Sequence, residues 1–118
     1  MKTGILGSGQ LARMIIEAGS KFGIEFHILT KELNSPAGQI TGFETKGDWN
    51  DEECLKKFAD KCDVLTLENE FIDYRKIQLL QNLGKKVYPS FDIIKLIQDK
   101  LYQKEYLQKA GIPLAKYA

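Results

Sequence analysis

The apolar and polar positions along the chain change period several times, and each change marks an element. Thr3 to Leu6 is a short apolar run, consistent with a buried strand. The run stops at Gly7-Ser8-Gly9, and the spacing then turns helical. Leu11, Met14, Ile15, Ala18 and Phe22 fall at i, i+3, i+4, i+7 and i+11, which predicts one inward face of a helix. Gly23 stands where a left-handed residue would close it. Ile24 to Leu29, "IEFHIL", reads as a second strand. "TKELNSPAGQITG" carries proline, asparagine and two glycines and reads as a loop. Phe43 to Lys46 predicts a short third strand.

Further on, Asn50 is placed as an N-cap with Glu53 three residues later, a capping-box variant. Leu55, Phe58 and Ala59 mark the inner face of that helix. Asp63 to Leu67, "DVLTL", is β-branched and apolar and predicts a fourth strand. Tyr74 to Leu83 reads as a helix with Ile77, Leu80 and Leu83 facing in, closed by Gly84. Lys86 to Tyr88 predicts a fifth strand, stopped by Pro89. Ser90 is placed as the cap of "FDIIKLIQ", and a last helix runs from Asp99 to Ala110, closed by Gly111. Strands alternating with helices imply parallel strands joined by right-handed crossovers. The expected fold is therefore α/β: a Rossmann-like open parallel sheet with helices on both faces. Ligands on such sheets gather at the carboxyl ends of strands. That directs attention to the loops after Leu6, Leu29 and Leu67.

Composition narrows the field. A chain of 118 residues is one domain of ordinary size. A net charge of +1, with lysines scattered among acids, argues against a nucleic-acid surface. No apolar run approaches the roughly 20 residues that span a bilayer, and no signal-peptide pattern opens the chain. The expectation is a cytoplasmic chain with no membrane contact. Cys54 and Cys62 are too few for a disulfide framework and form no CxxC pair, so reduced thiols and no metal site are expected.

The glycine turn carries the first candidate chemistry. Gly7-x-Gly9-x-x-Ala12 matches the relaxed phosphate-loop fingerprint: Gly7 for the turn, Gly9 for a ligand's approach, Ala12 for close helix packing. The N–H groups of the first helical turn, aided by the helix dipole, predict an anion near Gly9 to Leu11. The ligand is not specified by this, and a tight turn that binds nothing uses the same residues. An NAD site needs an acid at the end of the second strand. Here that strand ends Leu29-Thr30-Lys31 and Glu32 comes late, which speaks against NAD. The second candidate is "LENEF". Strand alternation would put Glu68 and Glu70 on one side and Asn69 on the other. Acids there suit the amines or hydroxyls of a ligand, or cap the following helix.

Together these residues resemble the N-terminal, pre-ATP-grasp domain of the carboxyaminoimidazole ribonucleotide synthetase family of ATP-grasp enzymes. The family opens with "GGGQLGRM"; this chain has "GSGQLARM", Gly7 to Met14. The family's "APAGQ" is matched by "SPAGQ", Ser35 to Gln39, and its "TYEFENV" by "TLENEFI", Thr66 to Ile72. Its closing "QDRLLEKEFLRELGIPTAPF" is matched by "QDKLYQKEYLQKAGIPLAKY", Gln98 to Tyr117. The likeness spans the whole chain.

The resemblance implies a ligase that uses ATP and bicarbonate to carboxylate the amine of aminoimidazole ribonucleotide in purine synthesis. It implies a substrate side made of Gly7, Gly9, Gln10, Leu11, Glu68 and Glu70, and an ATP contact at Lys100. Lys100 stands where the family has an arginine; it keeps the charge but loses the planar fork. Phe71 replaces the family's asparagine after the second acid, which leaves another small amine open as substrate. The resemblance assigns residues 1–111 to the pre-ATP-grasp domain and 112–118 to the start of a linker. On this reading ATP and magnesium belong mainly to an ATP-grasp domain beyond these residues. No catalytic residue lies in this piece, which alone is expected to be inactive. The full-length enzyme is expected to be a homodimer. The alternative is a free-standing nucleotide-sensing module of the same fold.

Overall fold

The computed structural model describes residues 1–113. Its strands are β1 (Lys2–Leu6), β2 (Glu25–Thr30), β3 (Phe43–Lys46), β4 (Val64–Leu67) and β5 (Val87–Tyr88). Its helices are α1 (Gln10–Gly19), α2 (Glu52–Asp60), α3 (Tyr74–Asn82), α4 (Phe91–Gln98) and α5 (Lys100–Lys109), with a 3₁₀ turn at Ser20–Phe22. All strand pairs are parallel, in the order β3-β2-β1-β4-β5. The expected α/β sheet is therefore present, and it is clad on both faces.

The cladding is uneven. Leu6, Leu29, Leu65, Leu67 and Val87 on one face pack with Leu55, Phe58 and Ala59 of α2, Ile77 and Leu80 of α3 and Ile94 of α4. The other face buries Ile5, Phe26 and Ile28 under Ala12 and Ile16 of α1 and Ala37 of the β2–β3 loop. Register sets these faces. Leu6 pairs with both Leu29 and Leu67, and Ile5 with both Ile28 and Thr66. Thr66 is half-buried and pairs with Tyr88, which is 63% exposed, so the cover on the α1 side thins from β4 to β5.

The predicted face of α1 is displaced. Leu11, Met14, Ala18 and Phe22 are exposed, Ile15 is half-buried, and the contact line runs through Ala12 and Ile16. Close packing through a small alanine covers only a narrow stripe, so the bulkier residues flank it instead of filling it. Leu83 likewise lies past the end of α3 and is exposed. The N-cap of α2 is Asp51, not Asn50. Its carboxylate accepts from Glu53 N at 3.1 Å and Cys54 N at 3.3 Å, while the Asn50 N–H is bound to Asp48 Oδ1. A charged cap at a helix N-terminus meets the dipole as well as the N–H groups. Ser90 occupies the N-cap position of α4 without a side-chain bond; Gln81 Oε1 takes the Phe91 N–H instead, at 2.8 Å. Gly23, Gly84 and Gly111 are left-handed, at φ 74°, 83° and 78°, as the closing glycines were expected to be. Of the 112–118 linker reading, residues 114–118 lie outside the described residues.

Candidate functional site

The shared register brings the carboxyl ends of β1, β2 and β4 to one level. The chain runs outward from β1 through β2 to β3, then returns to β4 on the other side of β1. The reversal between β1 and β4 opens the crevice in which doubly wound sheets bind ligands. A cavity of about 560 Å³ lies there, lined by Gly7, Ser8, Thr30, Lys31, Trp49 and Glu68 among others. Its size falls within the usual range for small-molecule sites.

Glu68 organises the crevice. The strand ends at Leu67, and the Asn69 side chain accepts the Phe71 N–H at 3.0 Å, turning the chain. Strand alternation thus does not extend through "LENEF". Glu68 bends over the glycine turn and Oε2 accepts the Ser8 N–H at 3.1 Å. Gly7 has φ 134°, a conformation open to glycine, and a Cβ there would lie 2.6 Å from Glu68 Cβ. A Cβ at Gly9 would overlap the Glu68 carboxylate. The two glycines therefore make room for an acid as well as for a ligand. Glu70 is absent from the cavity wall. Its carbonyl, with that of Ile72, accepts from the Gln98 amide, which ties this loop to the end of α4.

The other motif residues support the turn. The Ala37 N–H donates to Ser8 O at 3.0 Å, docking "SPAGQ" on the glycine loop. Ser35 Oγ donates to Glu44 at 3.0 Å and accepts the Gly38 N–H at 3.0 Å. Arg13 donates to Gln39 Oε1 at 3.2 Å. Thr30 stands where an NAD site would carry its acid; Thr30 Oγ1 accepts from Ser8 Oγ at 2.8 Å and donates to Glu32 O at 2.6 Å.

Of the predicted residues, Gly7 and Glu68 line the cavity, and Gly9 abuts Glu68. Gln10 and Leu11 begin α1 on the exposed surface beside it. Gly9 is the N-cap, and no side chain caps the first turn. Lys100 opens α5, exposed, beside a second hollow of about 660 Å³ lined by Tyr74, Lys95, Gln98, Asp99, Leu101, Tyr102 and Glu105. Sequence reasoning missed Ser8, Thr30, Lys31 and Trp49. The first three stand in the predicted loops after Leu6 and Leu29, so their position in sequence is the signal that points to them. Trp49 comes from the β3–α2 turn, and no sequence signal points it at the crevice. The one histidine, His27, is stacked on Phe43 and bonded to Glu25, away from the cavity. Among the described residues no cluster of His, Cys, Asp or Glu could hold a metal ion, and no helix is long and apolar enough to cross a membrane.

Parallel doubly wound topology, a glycine turn after β1 and an acid after β4 define an α/β domain whose candidate site is the crevice at the strand reversal. The family model for the ribonucleotide synthetase pre-ATP-grasp domain matches residues 1–98, and the chain belongs to that family. It is 45% identical over 117 residues to a phosphoribosylaminoimidazole carboxylase of Saccharomyces cerevisiae, covering 96% of this chain and 20% of that protein. It is 32% identical over 114 residues to an N5-carboxyaminoimidazole ribonucleotide synthase of Synechococcus elongatus, covering 97% and 29%. Among solved structures, the N5-carboxyaminoimidazole ribonucleotide synthetase of Thermotoga maritima superposes with TM-score 0.88 at 36% identity, over 98% of this chain and 32% of that one. The Aspergillus clavatus enzyme in complex with ADP and 5-aminoimidazole ribonucleotide superposes with TM-score 0.87 at 38% identity, over 98% and 31%. The chain thus spans about a fifth to a third of the length of these relatives.

Proposed function

We propose that these residues form the substrate-side domain of an ATP-dependent ligase that carboxylates aminoimidazole ribonucleotide in purine biosynthesis. The observation that carries this reading is the Glu68 carboxylate set over the glycine turn at the strand reversal, in a chain of the ribonucleotide synthetase family. Gly9, Gln10 and Leu11 offer the uncapped first turn of α1 to the ligand's phosphate. Glu68 accepts from its hydroxyls or amine, and Glu70 supports this from the same loop. Lys100 meets ATP. Magnesium, bicarbonate and most of the nucleotide cleft belong to an ATP-grasp domain outside residues 1–111, with 112 onward as the link. The working enzyme is a cytoplasmic homodimer, and this piece alone does not turn over.

Calorimetry on the chain tests the reading. 5-Aminoimidazole ribonucleotide is expected to give saturable heat and NAD none. ATP is expected to bind no tighter than about 1 μM, roughly 8 kcal/mol, without hydrolysis. Tight NAD binding, or no heat with the ribonucleotide, would overturn it.

A further inference from the structure

The lining of the cavity has two chemically different parts. One is the glycine turn with Glu68. The other is Trp49, whose indole lines the wall and is held from behind by the large core cluster. Trp49 is half-buried, so its ring is fixed while part of it stays open. Lys31 lies over the indole, its Nζ 5.3 Å from the ring centroid. Among the described residues no ion pair engages Lys31. An exposed ammonium over an indole is held only weakly, by roughly 0.5–1 kcal/mol. A planar ring can displace it.

Resting on the ribonucleotide reading above, we propose that Trp49 is the stacking surface for the ligand's heterocycle and that Lys31 covers it until the ligand arrives. The geometry sets three requirements of a small ribonucleotide in and beside one hollow. An uncapped helix start beside the glycine turn serves the phosphate. Glu68 serves the ribose or amine. The indole serves the ring, as the one aromatic side chain among the residues that line this crevice. Stacking on an aromatic side chain is tolerant of ring identity, so Trp49 favours a ring over no ring. The choice among rings falls to Glu68.

Trp49 is the sole tryptophan of the chain, so its emission reports on the site directly. The probes are 5-aminoimidazole ribonucleotide and ribose 5-phosphate, with binding followed in parallel by calorimetry. The ribonucleotide is expected to change Trp49 emission on binding, and ribose 5-phosphate to bind without doing so. Trp49→Leu keeps apolar bulk and removes the ring. It is expected to weaken the ribonucleotide about five- to a hundredfold and ribose 5-phosphate less than twofold. Trp49→Phe should recover most of the loss, which separates stacking from a folding defect. Lys31→Ala should shift the ligand-free emission and leave ribonucleotide affinity equal or tighter. Equal losses for both probes in Trp49→Leu, or binding without an emission change, would overturn the stacking role. A Lys31→Ala loss as large as that of Trp49→Leu would make the lysine a direct contact and overturn the displacement. If the wild-type chain binds neither probe, the ribonucleotide reading itself fails.

Discussion

Ser8 donates its backbone N–H to the Glu68 carboxylate across 60 residues of sequence, and that bond closes the glycine turn against the loop after β4. One acid thus occupies a donor that a bound anion would otherwise seek. In the full-length ligase proposed above, Glu68→Gln is expected to raise the amine KM or lower amine-dependent kcat/KM by roughly ten- to a hundredfold. That is the value of a charged hydrogen bond of about 1.5–3 kcal/mol. The KM for ATP should barely move. Glu70→Gln is expected to have the smaller effect, because Glu70 stands outside the cavity wall. Steady-state kinetics with each substrate varied in turn checks both variants.

The two glycines should respond differently to alanine. At Gly7 the backbone is left-handed and the new Cβ meets Glu68 Cβ at 2.6 Å, so strain and clash add. Gly7→Ala is expected to cost about 1–3 kcal/mol. At Gly9 the new Cβ meets only the flexible carboxylate, which can swing away. Gly9→Ala is expected to cost under about 1 kcal/mol while weakening ribonucleotide binding. Urea unfolding of the chain and a binding isotherm distinguish the two.

Along α1, the contact line decides stability. Ile16 is 4% exposed and Met14 54%. Ile16→Ala is expected to cost about 2–5 kcal/mol, and Met14→Ala to stay within about 0.5 kcal/mol. Equal costs would restore the helix face drawn from spacing alone. The same comparison applies to the start of α2, where Asp51→Ala should cost about 1 kcal/mol and Asn50→Ala little.

Burial pushes the Cys62 thiol up to about 11 from an ordinary value of 9.0, with the neighbouring Asp63 charge adding to the rise. The unfolded chain therefore releases this proton first. The stability this contributes is complete below about pH 9 and is lost as pH rises toward about 11. Asp73 shifts the other way, lowered by its side-chain bond to Arg75, and its contribution is lost only as pH falls through the carboxylate range. Cys62→Ala is expected to flatten the alkaline limb of a stability–pH curve and leave the acid limb unchanged.

Much of the architecture was legible because apolar strand runs, glycine caps and helix periods are local signals. Gly7, Gly84 and Gly111 could be placed from sequence, as could Ile77 and Leu80. The inner face of α1 was not, since a small residue such as Ala12 carries the closest contact and bulk alone misleads. Strand alternation fails past Leu67 in "LENEF" because Asn69 trades the strand for a side-chain turn. The site was half visible: Gly7 and Glu68 belong to motifs, but Trp49 reaches the crevice only through the tertiary path of the β3–α2 turn.

The uneven cladding of the sheet has a dynamic consequence. The glycine turn is attached to α1, which is held by the smaller cluster of Ile5, Ala12, Ile16, Phe26, Ile28 and Ala37. Glu68 is attached to β4, which is anchored in the larger one. Local opening follows the weaker attachment. Amide exchange in α1 should therefore outrun that of β4. A ligand gripping both sides of the crevice would slow the exchange of α1 most, by fastening the lightly held layer to the firmly held one.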